Sequence, residues 1–131
     1  MYHYYIWIEL SESLDETDCG QLMAKIERLK KLVRSKLRCA PAEPFLNINY
    51  AEIFQCTGGA NHRSTDHDAL LDVLDHLVFD LPGSHGLVYW YDDELPGKSK
   101  FDGYRVIVVA RGQWYERFDP FLSPRKVVVG D

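Results

Sequence analysis

Gly103-Tyr104-Arg105-Val106-Ile107-Val108-Val109-Ala110-Arg111-Gly112-Gln113-Trp114-Tyr115-Glu116-Arg117-Phe118 is the stretch that decides the fold. Its first half is a β-branched apolar run, the most strongly apolar strand of the chain and a candidate for the middle of a sheet. Arg111-Gly112 fits a two-residue hairpin turn, and Gln113 to Phe118 returns as a second strand. A turn that short can join only antiparallel strands. Just upstream, Gly86-Leu87-Val88-Tyr89-Trp90-Tyr91-Asp92 reads as another strand, followed by a polar connection from Asp93 to Lys100 that contains Pro96-Gly97. The final third is therefore β, with strands in quick succession. Beyond it, Val127-Val128-Val129 suits a further edge strand.

Working outward, residues 2–10 alternate. Tyr4, Ile6, Ile8 and Leu10 share one face, and Tyr5, Trp7 and Glu9 the other. Ser11 to Asp18 is polar and acidic, which suits a loop into a helix N-terminus. Leu22, Ile26, Leu29, Val33 and Leu37 then form the stripe of an amphipathic helix over about 18–37, ended by Pro41 and Pro44. Phe45 to Tyr50 alternates as a strand, and Ala51 to Cys56 continues it or forms its hairpin partner. Gly58-Gly59 is expected to break the chain. Thr65-Asp66-His67-Asp68 has the capping-box pattern of a helix start. Leu70, Leu71, Leu74, Leu77 and Val78 form the apolar stripe of this second helix, opposite Asp68, Asp72 and Asp75, and Leu81-Pro82-Gly83 stops it. The order is βα, then β or ββ, then α, then βββ. It predicts an α+β fold, one domain over residues 1–131, with a mostly antiparallel sheet covered by two helices.

The opening residues have no basic region, apolar core or small-residue cleavage site, so no signal peptide is expected. No apolar run is long enough to cross a bilayer. Cys19, Cys39 and Cys56 are odd in number and widely spaced, which argues against a disulfide framework and for a cytoplasmic protein. The net charge of −5 is unevenly spread. From Ser64 to Gly97 there is no Lys or Arg, while Asp66, Asp68, Asp72, Asp75, Asp80, Asp92, Asp93 and Glu94 all fall there. Residues 25–38 reverse this, with Lys25, Arg28, Lys30, Lys31, Arg34, Lys36 and Arg38 against Glu27. Such asymmetry sets up an oriented field or simply forms two solvated helix faces.

Gly58-Gly59-Ala60-Asn61-His62-Arg63-Ser64-Thr65-Asp66-His67-Asp68 concentrates chemistry-bearing side chains. His62 and His67, with Cys56, Asp66 and Asp68, offer metal ligands, but they lack the paired spacing of zinc sites, and no metal or other cofactor is expected. Ser64, Cys56 and Ser123 are possible nucleophiles with His62, His67 or His85 as base, yet none sits in a nucleophile elbow. A small hydrolase or metal-dependent enzyme built on His62, His67 and nearby acids remains the alternative reading. Asp92-Asp93-Glu94 suits paired carboxylates or a solvated loop. The acidic balance disfavours direct nucleic-acid binding and favours a basic protein partner. Trp7, Tyr89, Tyr91, Trp114 and Tyr115 can either anchor an interface or fill the core.

The chain resembles the immunity protein 7 family of bacterial polymorphic toxin systems. Tyr2-His3-Tyr4-Tyr5-Ile6-Trp7-Ile8 is similar to the family's opening aromatic strand. Gly58-Gly59-Ala60-Asn61-His62-Arg63 resembles its Asn-His-Arg signature, and Pro82 to Glu94 its "PGSxGLLYxxDDE" stretch. Arg111-Gly112 with Asp119-Pro120-Phe121-Leu122-Ser123-Pro124 resembles its "RG…DPFLSP" ending. The Trp90-Tyr91 pair and the double glycine depart from the pattern without breaking it. The resemblance implies a non-enzymatic protein of contact-dependent inhibition systems that binds a toxin domain and blocks it in the cytoplasm, many such toxins being nucleases. On the acidic stretch, the expected contact residues are Trp90, Tyr91, Asp92, Asp93 and Glu94, with Asp68, Asp72 and Asp75 on the second helix. Asn61, His62 and Arg63 form the family-motif loop, with a structural role or a place in the interface.

Overall fold

The computed structural model describes residues 1–15, 20–61, 63–94 and 103–123. Among them the chain forms β1 (Tyr2–Leu10), α1 (Leu22–Lys36), β2 (Cys39–Ala40), β3 (Phe45–Ile48), β4 (Ala51–Ala60), α2 (Ser64–Asp80), β5 (His85–Asp92), β6 (Arg105–Ala110) and β7 (Gln113–Phe118). The expected α+β class and antiparallel sheet are what the structure shows. One sheet runs β2-β4-β1-β5-β6-β7, with β3 also paired to β4. Every pairing is antiparallel.

The deciding hairpin forms as its sequence requires. Ala110 pairs with Gln113, and Arg111 and Gly112 both take positive φ, 56° and 73°. These angles suit the primed turn whose twist matches the strands it joins. The run around Ile107 is not the centre of the sheet, however. That place belongs to β1, flanked by β4 and β5. The Phe45–Tyr50 strand ends early, because Asn49 and Tyr50 turn with φ of 50° and 70° and Ala51 starts the hairpin partner.

The core lies between the sheet and the helices. Tyr2, Tyr4, Ile6, Ile8 and Leu10 of β1, Phe54 and Cys56 of β4 and Val88 and Trp90 of β5 meet Ile26, Leu29 and Val33 of α1 and Leu70, Val73, Leu74 and Leu77 of α2. Phe45 stacks on Phe54 with ring centroids 5.0 Å apart. Gly58-Gly59 does not break the chain. β4 runs through both, with Gly58 paired to Tyr4, and the Tyr4 ring occupies the space a side chain at Gly58 would fill. α2 starts one residue before the expected cap. Arg63 is already helical, at φ −59° and ψ −52°, and its carbonyl accepts from the amides of Asp66 and His67, so Thr65 sits inside the first turn. At α1 the Gln21 amide donates to Glu12, and Glu12 also pairs with Lys25. The acid that serves this helix start is thus held on the incoming loop.

After β7 the chain closes on Asp119, which is fully buried. Burial works against its charge, but the amides of Phe121 and Leu122 and the hydroxyls of Tyr89 and Ser123 all donate to it and hold its pKa below the ordinary value. This accounts for the Asp-Pro-Phe-Leu-Ser stretch as a self-capping turn. Residues 95–102 and 124–131, including the Pro96-Gly97 connection and Val127-Val128-Val129, lie outside the described residues.

Candidate functional site

The register Tyr2↔Asp92 places the start of β1 beside the end of β5, and the N-terminus of α2 packs over both. Two motifs far apart in sequence therefore meet. Arg63 Nε lies 3.4 Å from Asp92 Oδ2, joining the Asn-His-Arg loop to the acidic stretch. The Arg63 guanidinium also sits over the Trp90 ring, 5.8 Å from its centroid. Trp90 donates its indole N–H to Glu116 of β7 at 2.6 Å, and its ring lies 4.4 Å from that of His67. Tyr2 Oη is 2.8 Å from His67 Nδ1.

The electrostatics of this cluster follow from burial. Burial pushes the Tyr2 phenol well above its usual range, so the phenol stays protonated. Burial, then the neighbouring Arg63 charge, pulls His67 below its usual value despite Glu116, Asp68 and Asp92 nearby. A protonated phenol facing a neutral imidazole suits Tyr2 as donor and Nδ1 as acceptor. The cluster fastens α2 to the sheet through groups that satisfy one another.

The expected contact residues fall into two sets. Trp90, Tyr91 and Asp92 are buried, with Tyr91 against Tyr104 at 6.0 Å between centroids. The register points Trp90 and Asp92 towards α2, so neither presents a surface to a partner in this arrangement. Asp93 and Glu94 are exposed at the strand end, where the Met1 ammonium donates to Asp93 at 2.6 Å. The Glu94 amide is tied back to Asp92. On α2, Asp68, Asp72 and Asp75 are all exposed, but Asp72 pairs with Lys36 at 3.2 Å and Asp75 accepts from the Trp114 indole at 2.8 Å. Arg28 makes a two-pronged contact with Asp80. The cationic and acidic helices thus neutralise part of each other, a side-by-side placement that composition alone does not reveal.

Asn61 is exposed, while His62 lies outside the described residues. His85, a candidate base, opens β5 and lies 3.1 Å from Glu9. Cys56 is buried and burial pushes its thiol up, which leaves it a poor nucleophile. Among the described residues no group of three or more His, Cys, Asp or Glu is placed to hold a metal ion. None of the helices formed by these residues is long and apolar enough to cross a membrane.

Sequence reasoning missed Tyr2 and Glu116 as members of the cluster. A register linking residue 2 to residue 92 leaves no local trace. In comparisons with known proteins, residues 1–131 match the family model described as Immunity protein 7. No curated protein and no solved structure matches the chain.

Proposed function

The chain belongs to the immunity protein 7 family over its whole length, and on that premise we propose that it binds and neutralises a cognate bacterial toxin domain, a basic nuclease, in the cytoplasm, without chemistry of its own. The whole-length family match carries this reading. The charge distribution supports the nuclease as partner. A protein that works on nucleic acid is basic at its site, and this chain has net charge −5 with no cation from Ser64 to Gly97. Packing of the polar cluster supports the binding role. Tyr2, His67, Arg63 and Asp92 are engaged with one another around Trp90, which is an arrangement for holding a shape.

Within this reading, Asp93, Glu94 and Asp68 are the acids best exposed to meet cations on the toxin, with Asp72 and Asp75 beside them along α2. Trp90, Tyr91 and Asp92 act behind that surface by fixing its shape. Rim charges govern encounter rate and salt dependence more than the lifetime of a complex. Reversing Asp93 and Glu94 to Lys should lower the association rate about tenfold at low salt and flatten its salt dependence. Stopped-flow association at two ionic strengths reads this out, and an unchanged rate removes these acids from the encounter surface.

The function itself is tested by rescue. The toxin domain encoded next to this chain is expressed with and without it, and survivors are counted. Killing prevented by the chain, with co-purification of the two proteins, is the expected result. Killing that continues in its presence refutes neutralisation of that toxin.

A further inference from the structure

An antiparallel sheet with helices on one side ordinarily turns polar side chains to the other. This sheet does not. The register sets Gln55, Trp7, Leu87, Val108 and Tyr115 side by side across β4, β1, β5, β6 and β7. One row along lie Thr57, Tyr5, Tyr89, Val106 and Arg117. Both rows alternate with the residues that face the helices. Among the described residues no helix lies over this face, which is largely aromatic and aliphatic at its middle, and Tyr104 packs over Tyr5, Tyr89 and Tyr91 towards its Met1 side. Trp7 is 47% exposed, Tyr5 and Leu46 40%, Leu87 39% and Tyr115 37%. Beside Trp7 the face is concave. A groove of about 620 Å³ has Tyr5, Trp7, Leu87 and Tyr89 as its floor and Ala40, Pro41 and Leu46 among its walls.

Area and charge say what covers this face. The exposed parts of those side chains amount to roughly 400 Å², taking about 150–250 Å² for a whole large side chain. A patch that size falls within the roughly 300–600 Å² of the largest apolar patch on a typical monomer, a patch that is often functional. It is about half of the ~800 Å² that each partner gives to a standard heteromeric interface, and far less than an obligate homodimer buries. A second copy would also bring −5 against −5. A basic partner meets no such net repulsion, with Arg117, packed over the Tyr115 ring, the one cation of the two rows. Asp93 and Glu94 stand at the Met1 end of the strands that carry the groove, which gives an apolar centre and an acidic margin.

Resting on the immunity reading above, we propose that the helix-free face of the sheet, centred on Trp7 and its groove, is the surface on which the toxin docks. An apolar loop or side chain of a basic toxin domain sits between Trp7, Tyr5 and Pro41, and its cations meet Asp93 and Glu94. A half-exposed tryptophan beside a pocket, ringed by Tyr and Leu, is the kind of anchor that dominates an interface.

The test uses the full chain and the toxin domain encoded beside it, with affinity measured by titration calorimetry. Trp7→Ala should weaken binding at least 30-fold and Leu87→Arg at least 100-fold. Phe79→Ala, a highly exposed residue on α2, should stay within threefold. Circular dichroism and thermal melting establish that each variant is folded. If Trp7→Ala melts, Leu46→Asp at the outer wall takes its place, with at least a tenfold loss expected. Wild-type binding with all groove variants within threefold leaves the immunity reading standing and overturns this docking face. Failure of the wild type to bind overturns both. A dimer in light scattering that Leu87→Arg converts to monomer, with toxin affinity intact, assigns the face to self-association and overturns the proposal.

Discussion

Arg63→Ala separates a structural role of the Asn-His-Arg loop from a role in the interface. The Asp92 side chain is 3% exposed and Arg63 is 34% exposed. At 3.4 Å, two unit charges in an effective dielectric of about 20 interact by roughly 5 kcal/mol. Water around the part-exposed guanidinium screens part of this. Asp92 also keeps the amide of Glu94 as a donor at 2.9 Å. Removing Arg63 should therefore cost about 2–3 kcal/mol, most of it from a carboxylate left buried without its partner. Loss of the contact with Trp90 adds roughly 0.5–1 kcal/mol. For a chain of this size that is a fall in Tm of roughly 10 °C. Arg63→Ala/Asp92→Asn, which removes the stranded charge, should recover about 1–2 kcal/mol, and the double-mutant cycle isolates the pair. Thermal melts and urea titrations of the four proteins supply the numbers. A Tm within about 2 °C of wild type for Arg63→Ala would refute the reasoning. Intact stability with lost toxin binding would move the loop into the interface.

Stability should also depend on His67. Its folded pKa lies below the unfolded value of about 6.5, because burial and Arg63 disfavour the cation. The unfolded chain then binds the extra proton, so the His67 contribution is complete above about pH 6.5 and is lost as pH falls through the lower folded value. His67→Gln should flatten the change in urea midpoint between about pH 5 and 7.5, and an undiminished change would place the titration elsewhere. Gly58→Val should cost about 1–3 kcal/mol by displacing the Tyr4 ring, and a urea midpoint equal to wild type would refute that close approach. Asp119→Ala leaves two amides and two hydroxyls without their acceptor and should cost about 2–4 kcal/mol. Hydrogen exchange at Phe121 and Leu122 should quicken in step, and retained protection would contradict the capping role.

Most of the fold was legible in the sequence because its signals are local. Alternation in β1, the stripes of α1 and α2 and the Arg111-Gly112 turn each name an element from neighbouring residues alone. What escaped depends on distant contacts. Gly58-Gly59 has the composition of a break, but Tyr4 crosses Gly58 from the neighbouring strand and makes glycine the residue that fits an unbroken β4. Thr65 has the spacing of a cap, but the helix gains a residue at Arg63, where the side chain is drawn to Asp92 and Trp90. The site was half legible for the same reason. Charge counting found the exposed Asp93 and Glu94, yet it could not see that Trp90 and Asp92 are buried towards α2 and Tyr91 is buried against Tyr104 on the other face of the same strand. Alternation also set Tyr5 and Trp7 opposite Tyr4 and Ile6. Whether that second face is covered depends on which side both helices choose, and no local pattern encodes it.

The two surfaces would divide the work of neutralisation between them. Long-range attraction from exposed acids raises the rate of encounter and fades as salt screens it. Holding a toxin through many collisions depends instead on a slow off-rate, which comes from desolvated apolar anchors. On the docking proposal the first kind of group is the exposed acids at the strand ends and along α2, and the second is the apolar side chains around Trp7 on the face opposite the helices. The largely buried cluster of Tyr2, His67, Trp90 and Asp92, closed by the part-exposed Arg63, lies between α2 and β5 and fixes both at once. A variant that loosens this cluster should therefore lose association and residence together. Asp93→Lys should change association alone, and Trp7→Ala dissociation alone. Surface plasmon resonance on the three variants separates these patterns. A Trp7→Ala variant that associates slowly but dissociates like wild type would contradict the division.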